Sequence, residues 1–241
     1  MTKQEYRIEF ITPGFLGGAD QSARWRTPPF KAAFRAWWRI VWWNDRMRSG
    51  INPSISDMRE AEGALFGSAA DAGGSSMKSR VVLRLEEWRD GQCQKQCFSK
   101  CAFSNITHPE VKHKMKSSLY LGYGPVDPPG RLKNQCAIKP GEAQLLLLRF
   151  PDTCAHQMED AIKLMTLFGT IGGRSRNGWG SFWMTKNEGG QNQSSNTNPI
   201  SMTDFFDPAI RTQRSWLDDF ACDWMTALLI DWCHAIGRDQ K

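Results

Sequence analysis

The stretch from Gly169 to Phe182 constrains this chain more than any other. It reads Gly-Thr-Ile-Gly-Gly-Arg-Ser-Arg-Asn-Gly-Trp-Gly-Ser-Phe, five glycines and two arginines with no acid in fourteen residues. Glycine gathers in this way where backbone must turn through φ values closed to other residues, or must come close to something. Within it Gly172, Gly173, Ser175 and Asn177 surround Arg174 and Arg176, whose charge and forked donors would join nearby backbone N–H groups; such a composition suits an anion. Nucleotide-binding loops follow a strand and open a helix. Here a helical pattern precedes the loop, a strand-like one follows it, and Gly-Lys-Ser/Thr is absent. The blander reading is a tight turn carrying two solvated arginines.

Charge placement favours the anion. The net charge is +6, and Arg24 to Arg48 alone holds seven basic residues (Arg24, Arg26, Lys31, Arg35, Arg39, Arg46, Arg48) against Asp45. The remaining 24 basic and 24 acidic residues balance. Lys95 to Lys139 is locally basic, and Ser201 to Lys241 is acidic, with seven Asp against four Lys/Arg. Concentrated positive charge beside a neutral remainder predicts a polyanion footprint.

The 241 residues allow one elaborated domain or two small ones. No apolar run reaches membrane-spanning length and the first residues lack a signal-peptide pattern, so the expectation is a soluble cytoplasmic protein with no membrane contact. Seven cysteines in such a chain are expected to be reduced thiols.

Taken in order, Glu5 to Thr12 alternates as a strand, stopped by Pro13-Gly14; Gly17-Gly18-Ala19-Asp20 is a second small-residue turn. A helix is predicted from about Pro29 to about Arg46, with Thr27 as its cap. Phe30, Phe34, Trp37 and Val41 would form its buried stripe, with Trp38 and Trp42 beside it. Lys31, Arg35 and Arg39 would form a basic row alongside. A basic row next to indoles is what a single-stranded nucleic acid needs, since phosphates meet cations and unpaired bases stack. Trp38 is therefore a stacking candidate as well as a core one. A short helix with Glu60 and Glu62 as solvated side chains ends at Gly67, and Arg80 to Trp88 alternates as a second strand.

Cys93, Cys97 and Cys101, with His108 and His113 downstream, raise a zinc site, but their spacing is looser than that of zinc knuckles. Pro125, Pro128, Pro129 and Gly130 predict an irregular basic insertion. Ala143 to Phe150 should be a central strand, and Asp152 to Gly169 a helix capped by Asp152. The last strand is expected at Ser181 to Thr185. Gly189 to Thr197 reads as a linker, and a final helix carries Leu217, Phe220, Trp224, Leu228 and Trp232 on one stripe. Strand, helix, strand, strand, helix, strand is the βαββαβ pattern of ferredoxin-like, RRM-like α+β folds.

Thr12-Pro13-Gly14-Phe15-Leu16-Gly17-Gly18-Ala19, Pro28-Pro29-Phe30 through Ala36-Trp37-Trp38-Arg39, and Gly172-Gly173-Arg174-Ser175-Arg176-Asn177-Gly178-Trp179-Gly180-Ser181 together resemble the RAMP superfamily of CRISPR systems. Leu65-Phe66-Gly67-Ser68, Ser79-Arg80-Val81 and Leu119-Tyr120-Leu121-Gly122-Tyr123-Gly124 match similar words in the first subunits of type III-B Cmr effector complexes. The resemblance covers roughly Ile8 to Phe182. It implies a ferredoxin-like RAMP domain over residues 1–186 with an insertion at about 90–139; outside the resemblance, composition and periodicity give a linker at 187–200 and a C-terminal helical extension at 201–241. It also implies a subunit of an antiviral ribonucleoprotein with other RAMP subunits as partners, contacting CRISPR guide RNA, target RNA or both near the guide 3′ end. The chain departs from the family in having little but helix after the linker.

Some RAMP proteins cut guide RNA, usually with a histidine as general base. No histidine lies near the glycine loop or in the first helix in sequence. The expectation is a non-catalytic binder without cofactor or metal. Arg174, Arg176 and the glycine backbone would hold phosphates, Lys31, Arg35 and Arg39 would extend the track, and Arg24, Arg26 and Arg80 are further candidates. A processing ribonuclease and an adaptor without RNA contact are the alternatives.

Overall fold

The computed structural model describes residues 1–17, 22–69, 76–95, 98, 105–108, 111–128, 130–133 and 136–187. The linker at 187–200 (Asn187 apart), the extension at 201–241, and the turn residues Gly18, Ala19 and Asp20 lie outside them. So do Cys97 and Cys101. The chain divides into two compact units. The first contains Met1–Arg35, Val81–Ala155 and Ile162–Asn187; the described part of the second is Ala36–Arg80 and His156–Ala161.

The first unit is an α+β layer built on one antiparallel sheet. Its long strands are β1 (Thr2–Phe10), β2 (Val82–Leu85), β9 (Ala143–Phe150) and β10 (Phe182–Lys186), in the order β10-β1-β9-β2. Strict alternation makes the sheet two-faced, because successive side chains point to opposite sides. Ile8 and Phe10 of β1, Leu83 and Leu85 of β2, Leu146, Leu148 and Phe150 of β9, and Phe182 and Met184 of β10 are all buried. Register keeps them on one face: Phe10 stands opposite Phe182, Ile8 opposite Met184 and Leu85 opposite Leu146. Over this face lies the start of α1 (Thr27–Arg48). Phe30 meets Phe10 and Phe182 edge-on, with ring centroids 6.5 and 5.9 Å away, and stacks on Trp25.

The insertion between β2 and β9 has regular structure where the sequence led us to expect irregularity. Cys93–Gln94 (β3) pairs with Cys136–Ala137 (β8) at its neck, Asn105–His108 (β4) with Val111–Lys116 (β5), and Val126–Asp127 (β6) with Arg131–Leu132 (β7). A short helix α3 (Ser117–Gly122) joins the middle pairs. Pro128 sits at the hairpin turn between β6 and β7 rather than dissolving order. One buried carboxylate closes the neck. Glu142 Oε1 accepts the backbone N–H of Gln92 (2.7 Å) and of Lys139 (2.5 Å), while Oε2 accepts Trp25 Nε1 (3.2 Å) and Arg89 Nη1 (3.0 Å). Entry, exit and the approach to α1 thus converge on one side chain.

In the second unit, α2 (Ile55–Phe66) begins at a reciprocal cap. Ser54 Oγ accepts the Asp57 N–H and Asp57 Oδ2 accepts the Ser54 N–H, both at 3.1 Å. The helix stops at Gly67, whose φ of 83° suits glycine. The stripe expected on α1 is displaced by one position. Trp38 and Trp42 are 2% and 4% exposed, whereas Trp37 is only half-buried. From Phe30 and Phe34 the buried line continues at i+8 rather than i+7, toward Phe66, whose ring lies 5.5 Å from that of Trp38. Glu62 is a second correction: it is 5% exposed, not solvated, and pairs with Arg39. A helix α4 (Ala155–Phe168) contributes to both units. Asp152 does not cap it but starts a preceding turn and accepts the Thr2 hydroxyl at 2.6 Å.

Two outcomes follow. Glu142→Ala leaves several buried donors without their acceptor and is expected to cost about 3 kcal/mol in urea denaturation. The Ser54 hydroxyl and then its N–H hold the Asp57 carboxyl below its ordinary value of 3.8. A depressed folded pKa gives stability that is present above the ordinary value and lost as pH falls through the depressed one. The stability difference between wild type and Asp57→Asn is therefore expected at neutral pH and to shrink in strong acid.

Candidate functional site

The glycine stretch forms a closed loop leading into β10. Thr170 pairs with Ser181, and Ile171 N–H donates to Gly180 O at 3.0 Å. From the far end of the sequence, the turn after β1 clasps it. Gly173 N–H donates to Phe15 O and Gly180 N–H to Pro13 O, both at 2.9 Å; the Thr12 hydroxyl donates to Gly178 O at 2.7 Å and accepts Ser181 N–H at 2.9 Å. Two glycines are required by this fit. At Gly180 (φ 69°) a Cβ would lie 1.9 Å from Ile171 O, and at Gly172 (φ 97°) one would lie 2.8 Å from Phe15 O.

Trp179 fixes the loop from below. It is buried at 5% exposure with Phe15, Cys93, Phe98, Val126, Leu132 and Ala137 in one cluster. Its ring lies 5.1 Å from that of Phe15 and 6.1 Å from that of Phe98. The insertion and the loop therefore share a core. On the outside they are tied twice more, as Arg174 Nε donates to Tyr123 O at 2.6 Å and Asn177 Nδ2 to Leu121 O at 2.7 Å.

Arg174 is the one non-glycine residue with positive φ (58°) among the described residues. A left-handed arginine costs about 1 kcal/mol, and such strain persists only where surroundings enforce it. Arg174 and Arg176 are both exposed, and no carboxylate pairs with either among the described residues. Ser175 between them is half-buried.

The other cations expected at the site are engaged elsewhere or differently placed. Arg39 makes a two-pronged contact with the buried Glu62, Nε to Oε1 and Nη2 to Oε2 at 3.0 Å each, so its charge is already matched. Arg24 Nε meets Asp90 Oδ1 at 2.8 Å on the surface, and Arg26 donates to Gly17 O. Lys31 and Arg35 lie half-buried in the first unit; burial, then the charge of Arg35, pushes the Lys31 ammonium below its ordinary value. Arg80 is exposed in the second unit. Trp38 is in the core, its ring against Trp42 and Phe66, and offers no face to a base. The structure thus holds Gly172, Gly173, Arg174, Ser175, Arg176 and Asn177 in one loop of the first unit, while Trp38 and Arg39 are engaged within the second.

The sequence profile of the RAMP superfamily matches residues 7–183. The chain belongs to the RAMP superfamily. Among solved structures, this RAMP chain aligns with the apo form of Cmr1 from Pyrococcus furiosus at 18% identity and a TM-score of 0.45, covering 77% of this chain and 50% of that one. It therefore spans half the length of that protein. A chain of a type IV-B CRISPR complex aligns at 14% identity and a TM-score of 0.40, over 85% of this chain and 97% of that one. No curated protein matches the sequence.

Sequence reasoning missed Leu121 and Tyr123 as the loop's outer supports. The signal was there in Leu-Tyr-Leu-Gly-Tyr-Gly, a second glycine-aromatic word, but nothing in the sequence joins it to a segment about fifty residues later. Among the described residues no three His, Cys, Asp or Glu side chains gather as a metal site, and Cys93 is buried in the Trp179 cluster. No described helix is long and apolar enough to cross a membrane.

Backbone strain gives a direct check. Arg174→Gly is expected to be more stable than Arg174→Ala by about 1 kcal/mol in urea denaturation, since glycine alone relieves the left-handed conformation. Gly180→Ala, which drives a Cβ into a carbonyl, is expected to lose about 3 kcal/mol.

Proposed function

We propose that this RAMP protein is a non-catalytic RNA-binding subunit of a cytoplasmic CRISPR ribonucleoprotein effector of the type III-B Cmr kind. Guide or target RNA phosphates would lie on the 172–177 loop, held by Arg174 and Arg176. The observation that carries the reading is this pair of arginines, without acidic partners among the described residues, on a backbone pinned from three sides. An arginine already matched to a buried glutamate gains little from a phosphate; one without a carboxylate gains a charge-assisted, forked contact. The shared sequence words support the Cmr assignment, with other RAMP subunits as partners. The sheet order β10-β1-β9-β2 with two helices between strands supports reading the first unit as ferredoxin-like.

His113 is exposed in the insertion, and His156 faces Asp160 at 3.4 Å on its own helix.

The test is binding of the full chain to single-stranded RNA across a salt series, with product gels alongside. Each phosphate neutralised contributes about −0.7 to the log–log salt slope. Arg174→Ala/Arg176→Ala is expected to weaken binding and flatten the slope by about 1.4, with the RNA intact. Wild-type binding without salt dependence would sink the phosphate assignment, and cut RNA would replace it with a nuclease.

A further inference from the structure

Beside the arginine loop stands an aromatic side chain with no role in the core. Tyr123 is 61% exposed, the most open aromatic together with Trp88 among the described residues. Trp88 at least uses its indole N–H, donated to Thr27 Oγ1 at 3.3 Å. Among the described residues the Tyr123 ring has no aromatic or hydrogen-bonding partner, yet its backbone is held firmly. Its carbonyl accepts Arg174 Nε at 2.6 Å. Just before it, Gly122 is buried so closely that a Cβ there would lie 2.9 Å from Val126 and 3.3 Å from the Trp179 ring. Just after it, Gly124 (φ 117°) leaves room for the Arg174 guanidinium, whose Nη2 and Nε lie 3.6 and 3.7 Å from where a Cβ would be. An exposed ring on a fixed backbone, next to an exposed guanidinium, loses little entropy when a flat partner settles on it.

We infer that Tyr123 and Arg174 form a stacking subsite for one unpaired nucleobase, adjoining the phosphate-holding loop. The inference rests on the RNA-binding reading and narrows its ligand to single-stranded RNA. Bases within an A-form duplex are already stacked and present only edges and backbone, whereas a splayed base offers its face to a tyrosine ring or a guanidinium plane. The backbone tether of Arg174 leaves its terminal nitrogens for the adjacent phosphate, so one residue serves both base and backbone. Tyr123 takes the role that the sequence suggested for Trp38.

The test compares wild type, Tyr123→Ala and Tyr123→Phe in binding a single-stranded oligoribonucleotide, the same strand in a duplex, and the same strand with abasic positions. Tyr123→Ala is expected to bind the intact strand about ten-fold more weakly, as for loss of one stacked base, with an unchanged salt slope because no phosphate contact is lost. Tyr123→Phe keeps the ring and is expected to bind like wild type. Abasic substitution should weaken wild type and leave Tyr123→Ala unaffected. Equal affinity of wild type and Tyr123→Ala, or a loss that phenylalanine fails to rescue, overturns the subsite while salt-dependent wild-type binding leaves the RNA-binding reading intact. Wild type that binds no RNA overturns both.

Discussion

A carboxylate withdrawn from water needs as many donors as it has lost waters, and Glu142 finds them at the neck of the insertion. Two are backbone N–H groups of Gln92 and Lys139, on chain segments entering and leaving a stretch of nearly fifty residues; the others come from Trp25 and Arg89. The insertion is thereby set against the sheet at one fixed point. Everything that the insertion does for the glycine loop depends on that placement. It supplies Phe98, Val126 and Leu132 beneath Trp179, and the carbonyls of Leu121 and Tyr123 that receive Arg174 and Asn177. Without the clamp those contacts would have to be made by a tethered but unoriented hairpin.

The same accounting separates cations matched to a carboxylate from those that face none among the described residues. Arg39 and Arg89 face carboxylates that are 6% and 2% exposed; removing either arginine would strand a buried charge. Arg24 and Asp90 are both about half exposed, and water competes for each. Among the described residues Arg174 and Arg176 face no carboxylate, and Arg174 Nε donates instead to the backbone carbonyl of Tyr123. A stretch of sequence dense in arginine therefore resolves into structural and surface charge only when its acidic partners, tens of residues distant, are seen.

What the sequence disclosed was what local periodicity encodes. Alternation located β1 and β2, an apolar run between turn residues located β9, a short aromatic segment after the glycine loop located β10, and apolar spacing located α1 and α4. Glycine density located the loop, because positive φ at Gly172, Gly178 and Gly180 has no cheap alternative. Periodicity could not say which of two adjacent tryptophans faces inward. Trp37 and Trp38 differ by 100° around a helix, and the position of Phe66 decides between them. Nor could it pair Arg39 with Glu62 or Glu142 with the neck, since these contacts join residues remote in sequence. The insertion misled for the opposite reason: Pro128 marks a hairpin turn, and strands of two residues are too short to show a period.

The clasp between Thr12 and Gly178 links residues 166 positions apart. Contacts of such separation form late, because the closure entropy of the intervening chain has to be met before they can contribute. During synthesis the basic first helix emerges long before the segment that completes the loop. For most of its time on the ribosome the nascent chain therefore carries cationic residues without a shaped cradle for them. The shape of this loop is completed with the last strand of the sheet, so its cradle is timed by the completion of folding rather than by the first appearance of positive charge.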